Sequence, residues 1–168
     1  MQTGTDQNLL EPLLDSWDRN NQILVNLLRV LPEGALHVRA MEGSPSVGEM
    51  FAHLHFVRLI FITEDAPEFG RKLPDEEWTG EHDSDDLAQM LHESAQAVRE
   101  AVEGRLRAGR SMDQHYDHPI LFLQHMIWHE GYHHGQIKLA LKLAGRPVSD
   151  DQAGPVSWRL WMDKTPKS

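Results

Sequence analysis

The stretch His129-Glu130-Gly131-Tyr132-His133 reads HExxH. Histidines four apart on a helix project from one face, about 6 Å apart at Cβ. Two imidazoles placed that way can share one metal ion at about 2.0–2.1 Å each. With eleven histidines in 168 residues, such a pair arises by chance often enough to need support. Both histidines fall on an apolar stripe, where an unpaired polar group is costly. A third, His53, falls on the apolar stripe of a different expected helix. The chain has no cysteine, so nitrogen ligands must serve. The competing reading is a set of core histidines satisfied by backbone carbonyls or by one another.

HExxH is also the helix motif of zinc metalloproteases, with the glutamate as general base. That reading lacks its remaining parts. No glutamate follows Glu130, and Gln136 and Leu139 stand where the longer form of the motif needs glycine and histidine. Asp150, Asp151 and Asp163 are formal alternatives as a third ligand. No strand is expected that would pair with a peptide substrate. His125 lies one turn before His129, its Cα about 12 Å along the axis from that of His133. That suits a supporting or packing place rather than a ligand. His55 is expected to point away from the face of His53, to solvent or a partner, and His134 to be rotated from its neighbour by about 100°.

Net charge is −10 with histidines neutral, and no basic stripe is present. Phosphate backbones are therefore poor partners, and no nucleic acid is expected. No run approaches the roughly 18 apolar residues of a membrane span, and the N-terminus lacks a basic segment followed by an apolar one. No membrane is expected, and a cytoplasmic location is.

Four stretches repeat apolar residues at the helical period, and none does so at the strand period. The first runs from about Asn8 to Leu31, with Pro12 in its first turn. The second opens on Ser46 and Glu49, which form a capping box, and carries Met50, His53, Leu54 and Val57. The third runs from Ser84 or Asp85 to about Leu106. The fourth enters at His118-Pro119 and leaves at Ala144-Gly145. From Glu64 to Asp86 lies a connection with ten acidic and two basic residues. It reads either as a solvated loop or as a lid in which Phe69, Leu73 and Trp78 fold back on the bundle. The Trp158/Trp161 tail is expected to cover exposed core. The whole, 1–168, reads as an all-α four-helix bundle forming one domain.

Ser46-Val-Gly-Glu-Met-Phe-Ala-His53-Leu-His-Phe-Val-Arg58 resembles the second helix of the DinB-like, or YfiT-like, metal-binding family. His125-Met-Ile-Trp-His129-Glu-Gly-Tyr-His133-His-Gly-Gln-Ile137 resembles that family's last long helix, and Leu143-Ala-Gly-Arg-Pro147 with the tryptophan tail is similar as well. The resemblance covers about residues 8–162. It implies a bundle with up-down-down-up connection, and His53, His129 and His133 as ligands of one divalent ion, zinc or nickel, with water in an open position. His134 departs from the arginine that many members carry before Gly-Gln.

The resemblance further implies a thiol-dependent transferase, in which a low-molecular-weight thiol attacks a small electrophile. An open ion with three neutral ligands suits that chemistry, since it lowers the pKa of what it binds. Metal-dependent hydrolysis of an amide or related bond is an alternative, and a non-catalytic dimerisation module is another. Glu130, Tyr132 and His125 are the nearest candidates for supporting the ion's ligands or for proton transfer beside it. The expected partners are a small-molecule substrate and a second copy of the chain.

Overall fold

The computed structural model describes residues 3–162, with side chains from Leu9 onward; Asp163 lies outside the described residues. Four long helices account for most of it: α1 (Thr3–Val30), α2 (Val47–Asp65), α3 (Ser84–Arg107) and α4 (Pro119–Leu143). Two short ones, α5 (Asp150–Ala153) and α6 (Arg159–Met162), form the tail. Among the described residues the only β pairing is an isolated bridge between Arg39 and Ser46.

The helix ends follow local chemistry. At α2, Ser46 Oγ accepts from Glu49 N, and the Glu49 carboxylate accepts in return from Ser46 N. Asp83 accepts from the amides of Asp85 and Asp86 to start α3. His118 caps α4, whose first residue is Pro119, and Gly145 turns the chain away with φ of 70°. The expectation for α1 is corrected. It begins at Thr3, so Pro12 sits inside the helix rather than in its first turn. An apolar period cannot mark polar residues that precede the first apolar one.

Side-chain pairings give the directions. Asp18 meets Arg99 and Asn21 meets His92, so α1 and α3 run antiparallel. His55 meets the Met90 carbonyl, Arg58 meets Ser94 and Glu68 meets Arg105, so α2 and α3 run parallel. His53 faces His129 and Phe61 faces His125, so α4 is antiparallel to α2. The order is up-down-down-up, as the resemblance implied. Parallel neighbours oblige the chain to travel back along the bundle between them. The segment from Ala66 to Asp83 does this, and it is better called a strap than a loop. Its acidic ends, Glu64, Asp65, Asp85 and Asp86, belong to the helices.

The strap accounts for a feature of α2 that its sequence only hints at. This helix is buried on nearly every side, including Met50, Phe51, Leu54, Leu59 and Ile62. His55, expected at the surface, is buried too, with Nδ1 2.6 Å from the Met90 carbonyl. The tail docks on α1 through Asn26 to the Val156 carbonyl, with Val148 and Ala153 buried and both tryptophans half exposed.

The apolar core has two halves. One gathers Leu24, Leu28, Phe51, Leu91, Ile137 and Leu141; the other gathers Leu14, Trp17, Ile62, Val98, Phe122 and Met126. Between them lies a polar layer centred on Arg58, which is fully buried. Its Nε and second terminal nitrogen donate to the two Glu130 oxygens at 2.6 and 2.9 Å. Its other nitrogen donates to Asn21, the Leu91 carbonyl and Ser94. Glu130 also accepts from Asn20, and the Arg58 guanidinium lies 4.8 Å from the Trp17 ring centroid. All four long helices thus meet at one charge pair. Breaking a buried pair by removing one partner costs about 3–5 kcal/mol, whereas replacing both with apolar groups is often neutral. Arg58→Leu should therefore destabilise the fold by about that much in urea. Arg58→Met with Glu130→Leu should recover most of the loss; a double variant as unstable as the single one would show that the layer acts otherwise.

Candidate metal centre

The residue types that suggest an ion are brought together. His53 from α2 and His129 and His133 from α4 offer one ligand atom each, and these atoms lie within 4.8 Å of one another. His129 Nε2 is 3.3 Å from His53 Nε2 and 3.1 Å from His133 Nε2. Two nitrogens bound tetrahedrally at 2.0–2.1 Å are separated by about 3.3 Å. The two sides that meet at His129 match that spacing, and the third, from His53 to His133, is no more than 4.8 Å.

Hydrogen bonding alone does not satisfy these nitrogens. His129 Nε2 carries either one proton or one lone pair in the ring plane, so it cannot serve two neighbouring nitrogens at once. His53 Nδ1 lies 2.8 Å from Glu77 Oε1. A carboxylate only accepts, so that nitrogen donates and the Nε2 of the neutral ring is left as a lone pair. His133 Nδ1 is buried with no partner among the described residues. A cluster of converging lone pairs is what a divalent cation fits, and these three residues could hold one.

The rest of the surroundings were not legible beforehand. Glu77 and Trp78 come from the strap, and the Trp78 ring stacks on His53 with centroids 4.0 Å apart and planes 6° from parallel. The connection is therefore a cover in this region, made by Trp78, while Phe69 packs against Gly104 and Leu73 against the core. His125 is no part of the triad. Its Nδ1 meets the Tyr116 hydroxyl at 2.7 Å, and its ring stands 6.3 Å from that of His129. Burial pushes the Tyr116 phenol up to about 12.

Glu130, which the sequence offers as a proton-transfer candidate, has both oxygens taken by Arg58 and Asn20. No hydrogen bond joins it to the triad among the described residues. Tyr132 is exposed, its ring 5.1 Å from that of His133 and stacked beside Trp128. His134 lines a separate cavity of about 230 Å³ between α1, α4 and the tail, with Trp158 and Trp161. Another hollow, of about 680 Å³, lies along α2, α3 and the strap. No triad histidine lines either one.

Burial, and then repulsion from neighbouring imidazoles, lowers His53 and His129 from 6.5 to about 4. Burial lowers His133 as well. All three are neutral at pH 7, the state that ligation requires. His53 and His129 take up their protons near 6.5 in the unfolded chain and only near 4 in the folded one, and His133 shifts in the same direction, so between those values the unfolded state binds more protons. Stability of the ion-free chain should be complete above about pH 6.5 and fall as the pH drops toward 4. Melting temperatures across that range should show the fall, and His129→Gln, which leaves the other lowered imidazoles in place, should make it shallower. A flat profile in the parent chain would mean the imidazoles are not held neutral.

The model of the DinB family matches residues 1–158. No curated protein and no solved structure matches the chain significantly. With most of its length matched, the chain belongs to the DinB family.

Proposed function

We propose that this DinB-family chain is a metal-dependent S-transferase that joins a low-molecular-weight thiol to a small electrophile. The observation that carries the reading is the convergence of three neutral imidazoles, with no carboxylate among them, in a chain without cysteine. An ion bound there, zinc or nickel, would keep its full charge and an open position, and so favour the deprotonated form of a thiol that reaches it. In the net reaction the thiol sulfur bonds to the electrophilic carbon, while the thiol proton and the leaving group depart. The cytoplasm, where such thiols are abundant, is the location that suits it.

The chain's own residues divide the work around that centre. Burial keeps the three histidines unprotonated. Glu77 orients His53, and the Arg58–Glu130 pair holds α4 at the rotation that turns His129 and His133 toward α2. Tyr132, exposed beside His133, is placed at the rim where a substrate's leaving group could take a proton. His129, only partly buried, is the open edge of the triad.

A homodimer belongs to the same proposal. Leu121, Trp128, Tyr132, Leu139 and Leu143 are exposed along α4 at steps of seven and four, the spacing of a helix–helix seam. Gly131 and Gly135 lie along the same exposed side, and the one carboxylate of α4, Glu130, faces inward. A second copy could approach this face without the repulsion expected of a chain of charge −10. Leu139→Glu should convert the protein to a monomer of 19.2 kDa in sedimentation. A parent chain already monomeric at tens of micromolar removes this part of the proposal.

For the chemistry, calorimetry of the zinc-loaded chain with a panel of low-molecular-weight thiols should show binding with release of about one proton near neutral pH. His129→Ala should abolish both metal and thiol binding. A purely structural ion predicts instead that no thiol binds and that removing the metal only lowers the melting temperature. Silence across the panel with the ion in place overturns the transferase reading.

A further inference from the structure

We propose that Glu77 is a positioning residue for the metal centre, and that the strap carrying it clamps His53 in the tautomer and orientation that ligation needs. The inference rests on reading the triad as a metal site, and the experiment below separates the two.

The strap exists because α2 and α3 are parallel, and its course brings Glu77 to His53 across 24 positions of sequence. Glu77 Oε1 lies 2.8 Å from His53 Nδ1. The proton on Nδ1 leaves the Nε2 lone pair facing His129, which is the geometry a ligand requires. Carboxylates that accept from the far nitrogen of a ligating histidine fix its ring and raise its basicity as a ligand.

Trp78 adds a second restraint. Its ring lies flat on the imidazole at 4.0 Å, so rotation of His53 about its ring bond would run into the indole. Gly80 then lies against the Glu49 side chain at the start of α2, which itself is held by Arg39. The strap is thus pinned on both sides of the point where it touches the triad. His133 has no carboxylate in that place: among the described residues its Nδ1 lacks a hydrogen-bond partner, and the side chain that acts on its ring is the neutral Gln136. Among the described residues, a carboxylate reaches the triad only at the ligand that comes from α2.

An exposed ion pair would be worth little to the fold. Glu77 is 40% exposed while His53 is 10% exposed, so a purely structural role predicts a small effect of removing the carboxylate on any property. A positioning role predicts a large effect on metal affinity alone.

Two measurements on the full chain decide it. Imidazole ¹⁵N spectra of the metal-free parent should show His53 as the Nδ1–H tautomer, and Glu77→Ala should give a mixture. Competition of Zn²⁺ against a chelator should show affinity weakened by about 10- to 100-fold in Glu77→Ala, with the melting temperature of the metal-free protein unchanged. Glu77→Gln, which keeps an acceptor oxygen, should recover part of the affinity. An Nε2–H tautomer in the parent, or Zn²⁺ affinity within twofold of the parent in Glu77→Ala, overturns the assignment while leaving the metal site standing. A parent that binds no Zn²⁺ overturns the metal reading, and Glu77's role falls with it.

Discussion

A single buried charge pair governs this bundle. Arg58 has no exposure to water, and Glu130 almost none, so each charge depends on the other and on the asparagines, serine and carbonyl around them. Satisfying them needs α1, α2, α3 and α4 at fixed rotations. Turning α4 by one residue, about 100°, would withdraw Glu130 from Arg58 and carry His129 and His133 away from α2. The layer that costs the most to desolvate therefore also sets where three imidazoles converge. In this chain the glutamate of HExxH is paired with Arg58 and Asn20.

The second constraint is topological. With α2 and α3 parallel, the link between them must run the length of the bundle, and it does so over α2. That is why α2 is apolar nearly all round, and why residues of the strap stand over a histidine that lies 24 positions earlier. A tight-turn bundle of the same four helices would have left His53 open on that side. Cover and ligand orientation both follow from the chain's path.

What the sequence revealed, and what it withheld, follows the range of each interaction. The capping box at Ser46, the proline entering α4 and the glycine leaving it act within a few residues, and they mark those ends correctly. The triad was legible because histidine on an apolar stripe is costly unless something binds it, and that cost is visible in a pattern. Arg58 was invisible as an anchor, since its partners lie 33 to 72 positions away. Glu77 was hidden among ten acidic residues, any of which fits a solvated strap equally well. His55 looked exposed because its period puts it off the stripe, yet a parallel neighbour buries that side too. The early start of α1 lay beyond the reach of any apolar period.

The distance between Arg58 and Glu130 also bears on how the protein is made. During synthesis the arginine emerges 72 residues before its carboxylate, an interval of about 4–14 s at 5–20 residues per second. Once α3 has been made, α1, α2 and α3 leave an apolar groove for α4 and a cation that cannot enter it alone. A chain halted before Glu130 would have to keep Arg58 wet, and its core could not close. Closing the core around Arg58 therefore waits for α4, the last of the four long helices to be made.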